Sequence, residues 1–372
     1  MVKPSRPAAD RTIDALRAVF VSAVVLIHVY DPALLHPARY SPGEHFLLAC
    51  YQVLTRVSVP GFVLLSGLLL VGSQEQRALR WGAFVRRRVG RVLPAYVVWS
   101  AVYALRAGLR WPQAVESALT GTACYHLFFV PAILHLYLVF PLLRRLLARW
   151  SGSVRAALGA CVLALALAPL VERGYGWARA ALGTEHLLAR YLAGGPLEAL
   201  RWLPYFVCGI VLAPWRGALL APHDPPARRR WPVLVALAVV AGLVARNVRL
   251  IPTVPDGALT IASQTFSWAG PYSSLACAAM LVLVVSALTR ADAQRMVRAL
   301  ALLGPASYGV YLGHVLVLQE LSRHLVAFRL LAWLPGSMPL AAALVVLLTW
   351  PLALSWRREW PAGSAALAAN DA

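Results

Sequence analysis

The sequence predicts an all-α integral membrane protein of about ten transmembrane helices around an interior cavity, with both termini cytoplasmic. Three observations carry that prediction. First, 60% of the 372 residues are hydrophobic and only 13% are charged, against about 25% charged in a soluble domain. Second, ten apolar runs approach the roughly 20 residues that cross a bilayer. Third, the 35 basic residues, among which Lys3 is the only lysine, fall in short clusters between those runs. The net charge of +20 therefore reads as membrane topology and contact with membrane lipid. No nucleic-acid partner is expected.

The runs lie at 15–30, 46–72, 92–107, 125–147, 154–171, 198–215, 231–246, 270–289, 305–327 and 338–356. The first follows a basic start, as a signal peptide does. No small-x-small cleavage site follows "LIHVYDP", so it is expected to be retained as a span. In the second, Pro60 and Gly61 are expected to break the helix and free backbone groups to line a cavity. The third and seventh have soft edges. The longest breaks, 172–197 and 247–269, are too short for a soluble domain. The chain thus reads as a single transmembrane domain over 1–372, with a short disordered tail at about 361–372.

An even number of spans puts both termini on one side. The N-terminal segment through Arg17, the loops at 73–91, 144–155, 214–230 and 290–300 and the tail after 356 hold 23 of the 35 basic residues. That excess marks the cytoplasmic side, and a multi-pass protein of the bacterial inner membrane is expected. "HDPPARRRWP" (223–232) reads as a cytoplasmic linker. The five cysteines have no metal or redox spacing. They read as small apolar residues, with a Cys50–Cys124 disulfide as the less favoured reading. No metal site is expected, and oligomeric state is unreadable.

Span one, "DALRAVFVSAVVLIHVY" (14–30), keeps two ionisable residues that a bilayer penalises. Arg17 and His28 are eleven apart, so they share a helix face about 16 Å apart along the axis. Asp14 is within ion-pair reach of Arg17. Arg17 fits either a headgroup anchor or a binding role, and His28 either an interfacial histidine or a reactive one. In "RRRVGRVLPAY" (86–96), Arg88 and Arg91 are three apart and can point the same way. Two guanidiniums suit a phosphate or pyrophosphate; they also suit anionic lipid. In "VSVPGFVLLSGLLL" (57–70), Ser66 and Gly67 are small enough for close helix packing. Arg56 lies just inside the outer end of that span, facing a cavity or snorkelling.

"YHLFFVPAILHLYLVF" (125–140) carries His126 and Tyr137, eleven apart and expected on one helix face, with His126 at the outer end where an acceptor would arrive. In "GPASYGVYLGHVLVL" (304–318), Ser307, Tyr311 and His314 follow i, i+4, i+7 with Tyr308 beside them. Such a polar stripe is expected to face the bundle interior. Glu320 is the clearest acid within a span. No Gly-rich phosphate loop, metal-spaced cluster or serine nucleophile elbow is present.

Taken in order, these segments resemble the acyltransferase-3 family of integral membrane proteins, whose bacterial members include O-acetyltransferases of surface polysaccharides. The likeness rests on "RTIDALRAVFVSAVVLIH" with Arg-x10-His on Arg17 and His28, "VSVPGFVLLSG", "RRRVGRVLPAY" with Arg-x-x-Arg on Arg88 and Arg91, "YHLFFVPAILHLYLVFPLL", "LPYFVCGIVL" (203–212) and "SYGVYLGH". It spans essentially the whole chain. "YHLFF" lacks the tryptophan common in the family's stretch, and Gly61 stands where a bulky residue is usual.

The resemblance implies an acyl-CoA donor, most commonly acetyl-CoA, as a cytoplasmic co-substrate, with no permanently bound cofactor. It implies a hydroxyl acceptor on a glycan or lipid-linked saccharide. Arg17, Arg88 and Arg91 then supply cations for the donor phosphates, and His28 is placed as general base. Ser66, His126, Tyr308, Tyr311 and His314 are candidates for orienting the substrates or stabilising the oxyanion. Acceptor contacts are expected on the outer loops, including Arg173, Arg179, His186 and Arg190. A transporter or flippase of a lipid-linked or anionic solute is the alternative, although no internal repeat of the transporter kind appears. A non-catalytic scaffold would leave Arg17, His28 and the polar stripe without a purpose.

Overall fold

The structure is a computed structural model that describes residues 8–72, 81–183, 185–222, 230–253, 255 and 271–359. Helices and turns make up these residues, with no strand among them. The expected tail at 361–372, most of the linker at 223–232 and most of the loop at 247–269 lie outside the described residues. The helices are α1 (Ala8–Leu34), α2 (Pro42–Thr55), α3 (Ser58–Gly72), α4 (Trp81–Arg106), α5 (Trp111–Thr120), α6 (Phe129–Leu147), α7 (Val154–Leu182), α8 (Leu187–Leu192) and α9 (Glu198–Leu212). They continue as α10 (Arg216–Leu220), α11 (Arg230–Leu250), α12 (Pro271–Leu288), α13 (Gln294–Leu303), α14 (Ser307–His324), α15 (Val326–Trp333) and α16 (Met338–Glu359).

Among the described residues, eight segments are long and apolar enough to cross a membrane: 8–34, 42–71, 129–151, 154–182, 187–220, 230–253, 291–324 and 335–354. The other two expected spans do form helices. However, α4 carries Arg86, Arg87, Arg88 and Arg91 in its first half, and the apolar part of α12, Tyr272–Leu288, is short. The protein is therefore an all-helical, multi-pass membrane protein.

Two departures from the sequence reading have local causes. The second span breaks at Arg56–Val57, before Pro60 and Gly61. Pro60 falls in the first turn of α3, where its missing N–H costs nothing. In addition, α7 continues eleven residues beyond the expected end at 171. Its polar extension is held by one contact to α9 and one within α7: Arg201 Nε donates to Glu172 Oε2 at 2.7 Å, and Arg179 donates to the Tyr175 hydroxyl at 2.9 Å. Much of the expected outer loop 172–197 is therefore helical.

The chain forms two compact units. The first comprises residues 1–62 and 215–353. Here α1 is the central helix, packed by α2, α13 and α14. Backbone approaches backbone closely at Gly304, where a Cβ would meet the Asp14 carbonyl oxygen at 2.2 Å. Away from α1, Tyr51 donates to the Pro335 carbonyl at 2.7 Å, and Asn247 Nδ2 donates to Gln52 Oε1 at 3.2 Å. The second unit comprises 63–214 and 354–372, with α9 packed by α6 and α7. Gly67 and Gly209 let α3 and α9 cross closely in it: a Cβ on Gly209 would lie 2.0 Å from Leu64 O, and one on Gly67 would lie 2.5 Å from Phe206 O. Small residues serve this purpose in membranes. All five cysteines are free thiols.

Candidate active site

In the first unit, α1 carries the reactive candidates. Asp14 accepts from Arg17 Nη1 at 3.0 Å. The guanidinium keeps about a third of its side-chain surface exposed while Asp14 keeps 10%. Arg17 is thus held by a mostly buried carboxylate and still presents an open edge.

Further along α1, Pro32 sits inside the helix. It has no N–H to offer the carbonyl four residues earlier, which is that of His28 itself. The helix is therefore relaxed at the turn where its imidazole stands. The His28 side chain is 14% exposed, and its Nδ1 lies 4.0 Å from Asp31 Oδ2. Arg56, at the α2–α3 break, is within electrostatic reach of both Asp31 and Tyr30. The Tyr30 hydroxyl is 2.9 Å from that of Thr55.

The polar stripe of α14 is buried, as its spacing requires: Ser307, Tyr311 and His314 all lie inside, with Tyr308 half-buried beside them. His314 is fully buried and stacks on His28, ring centroids 5.2 Å apart and planes within 25°. Its Nδ1 lies 2.7 Å from Tyr311 O and 3.1 Å from Val310 O. Both are acceptors only, so Nδ1 must carry the proton. In the neutral ring Nε2 is then an acceptor and not a donor. That chemistry argues against the oxyanion role for His314, since an oxyanion needs donors. Tyr311 stays a candidate donor, its ring 6.2 Å from that of His314. Glu320 pairs with His324 at 3.1 Å and Arg323 at 3.6 Å. It belongs to an ion-pair cluster at the end of α14.

In the second unit, Arg88 is half-buried while Arg91 is exposed. The Arg88 guanidinium rests 5.9 Å from the Phe84 ring centroid and is within electrostatic reach of Tyr137, Arg87 and Arg91. Ser66 is half-buried on α3. His126 lies in a turn before α6 and not on it, so the helix face expected to join it to Tyr137 does not exist. The residue is buried, with its ring meeting Tyr103 and Tyr125 edge-on at 5.3 and 5.8 Å. Of the four outer basic residues, Arg179 is held by Tyr175 and Arg190 pairs with Glu116 at 2.8 Å.

The structure thus brings together His28, His314 and Tyr311, and separately Arg17 with Asp14. Asp31 was missed in the sequence. Its signal was there, a carboxylate three residues after His28 and just before a proline, but "YDP" reads first as the end of a span.

The acyltransferase domain model of the acyltransferase-3 family matches residues 10–356. Among curated proteins, the chain is 25% identical over 303 residues to the exopolysaccharide production protein ExoZ of Rhizobium meliloti strain 1021, covering 78% of this chain and 83% of that one. No solved structure matches. With the family pattern running from α1 to α16 and its Arg-x10-His pair on the central helix of the first unit, the chain belongs to the acyltransferase-3 family of membrane acyltransferases.

Proposed function

We propose that the protein transfers an acyl group, acetyl in the simplest case, from cytoplasmic acyl-CoA to a hydroxyl of a glycan or lipid-linked saccharide. Family membership supports the reaction class, and the name of the matched relative supports a polysaccharide acceptor. The observation that carries the mechanism is the stacked, largely buried His28–His314 pair, whose His28 lies on the helix that also bears Arg17. His28 is the general base for the acceptor hydroxyl. Imidazole suits that task because in its neutral form one ring nitrogen can accept a proton. Arg17, steadied by Asp14, and the Arg88–Arg91 set bind donor phosphates, for which guanidinium forks are well shaped. Tyr308, Tyr311, Ser66 and His126 orient the substrates. The whole helical region acts as one domain, crossing the bacterial inner membrane ten times with both termini cytoplasmic.

The test uses protein purified in detergent and follows acetyl-CoA binding and CoA release. Wild type is expected to bind acetyl-CoA and release CoA. His28→Ala is expected to bind but to lose turnover by about 100-fold or more, the usual worth of a general base. Arg88→Ala/Arg91→Ala is expected to lose binding. A wild-type protein that neither binds acetyl-CoA nor releases CoA would overturn the reading and bring the transporter alternative forward.

A further inference from the structure

We propose that His36, Arg39 and Trp333 form an acceptor-binding subsite of the first unit, and that the acceptor they take is an acidic saccharide whose carboxylate is held by the Arg39 guanidinium. The inference rests on the acyltransferase reading above and adds to it the chemical class of the acceptor.

The local sequence brings the three side chains together. After α1 ends at Leu34, Pro37–Arg39 forms a single 3-10 turn, closed by the Arg39 N–H donating to the His36 carbonyl at 3.1 Å. Residues three apart eclipse in such a turn, so His36 and Arg39 reach the same way. Both meet Trp333, the last residue of α15. The His36 ring lies within 22° of parallel to the indole, 6.5 Å between centroids, and the Arg39 guanidinium carbon lies over the indole, 5.5 Å from its centroid.

Helix α2 holds both halves in place. His45 Nε2 donates to the Pro37 carbonyl at 2.9 Å, and Tyr51 donates to the Pro335 carbonyl at 2.7 Å, both from buried side chains. The subsite is thus set before a ligand arrives, which lowers the cost of binding. An interfacial tryptophan or a snorkelling arginine needs no such fixing.

The groups left over say what the subsite takes. A guanidinium drawn to an aromatic ring by cation–π attraction keeps N–H donors for a further partner. Arg39 is exposed and has no carboxylate partner among the described residues. Glu44, the acid on the same segment, accepts instead from Ser41 N and Ser41 Oγ, each at 2.8 Å. One open fork matches one carboxylate in a two-point contact, whereas a diphosphate carries more charge and calls for more than one. His36 is half-buried, and neither of its ring nitrogens has a hydrogen-bond partner among the described residues. A neutral imidazole offers one donor and one acceptor, which suits a sugar hydroxyl, itself both. Trp333 is 40% exposed and adds apolar surface for the C–H face of a sugar ring.

The position fits as well. The turn and Trp333 lie between the membrane-crossing segments 8–34 and 42–71, and 291–324 and 335–354. Six residues of α1 separate His28 from Leu34, about 9 Å along the axis. A saccharide of a few rings held at Arg39 therefore extends toward the base.

The experiment is isothermal titration calorimetry on the full chain in nanodiscs of phosphatidylcholine alone, for wild type, Arg39→Gln and Trp333→Leu, with thermal unfolding measured on each. The probes are trigalacturonate, neutral galactotriose, farnesyl diphosphate and acetyl-CoA. Wild type is expected to bind trigalacturonate at least about tenfold more tightly than galactotriose, the least that a charge-assisted contact is worth. Arg39→Gln is expected to lose that preference, and Trp333→Leu to weaken both saccharides. Acetyl-CoA affinity and the unfolding midpoint are expected to stay as in wild type. Equal binding of the two saccharides by wild type, or a preference that survives Arg39→Gln, would overturn the proposal. Farnesyl diphosphate binding more tightly than trigalacturonate through Arg39 overturns it too, because the cation would then serve a lipid-linked diphosphate. A loss of binding with a lower unfolding midpoint in both variants marks a structural cluster and has the same force. In each of these cases, acetyl-CoA binding by wild type leaves the acyltransferase reading standing. Wild type that binds trigalacturonate through Arg39 but neither binds acetyl-CoA nor releases CoA removes that reading, and the acceptor role with it.

Discussion

Gly61 is one of two places where the chain departs from the pattern it otherwise resembles, and the structure supplies a reason for it. A Cβ at this position would lie 2.6 Å from two carbons of the Phe20 ring. Phe20 is fully buried and meets Phe62 edge-on at 5.7 Å, so the ring has little room to retreat. Phenylalanine on α1 and glycine on α3 are two halves of one volume, and a bulky residue at 61 needs a smaller one at 20. Gly61→Ala is therefore expected to destabilise the protein by about 1–3 kcal/mol, the ordinary cost of overpacking. Thermal unfolding in detergent would show a lower midpoint. The double variant Gly61→Ala/Phe20→Leu should recover part of the loss, since neighbours in contact are not additive. Full additivity of the two changes would mean that the ring and the glycine do not share the space. The departure itself was legible in the sequence. Its cause was not, because periodicity gives the face on which Phe20 lies and not the helix that meets it.

Helices, taken one by one, follow their residues closely, and they differ from expectation where tertiary contacts extend or interrupt them. Pro60 marked a break in the second span, and the break stands a turn earlier because a proline is accommodated at a helix start. The apolar run of α7 stopped at 171, but the Glu172–Arg201 pair lets the helix continue. His126 read as helical by spacing alone and lies in a turn. The same distinction between intrinsic and tertiary effects makes a prediction for two glycines of the second unit. A Cβ on Gly209 would overlap the Leu64 carbonyl oxygen at 2.0 Å, and backbone cannot rotate away as a side chain can. Gly159, in α7, has open space around its Cβ position. Gly209→Ala is expected to reduce the folded fraction recovered by size-exclusion chromatography and to lower the unfolding midpoint. Gly159→Ala is expected to be neutral or to stabilise by up to about 1 kcal/mol through helix propensity. Equal behaviour of the two variants would show that the α3–α9 crossing is not set by Gly209.

For the molecule as a whole, class and membership were legible because they depend on composition and on short motifs in order. The partnering of His28 with His314 was not, because nothing local relates two helices so far apart in sequence. The sidedness of the molecule is the remaining global property on which the proposed chemistry depends: the proposed CoA donor would require Arg17, Arg88 and Arg91 to open to the cytoplasm. The distribution of basic residues argues for that orientation. The aromatic residues mark helix ends and do not choose between the two sides. Trp81 and Trp231 are 50% and 72% exposed at the starts of α4 and α11, and Trp111 and Trp177 are 80% and 84% exposed near the start of α5 and the end of α7. Exposed tryptophans at helix ends are suited to the two membrane interfaces. Single cysteines placed in a background free of the five native thiols would test the orientation. A membrane-impermeant maleimide applied to spheroplasts is expected to label Ala38→Cys and Gln113→Cys, and to label Ser5→Cys and Ser364→Cys only after lysis. Labelling of Ser5→Cys and Ser364→Cys from opposite sides would require an odd number of crossings. Labelling of both before lysis would invert the protein and set its arginine clusters facing away from the CoA pool. The donor assignment would then fail whatever the state of His28, since a guanidinium on the far side of a bilayer cannot hold a cytoplasmic phosphate.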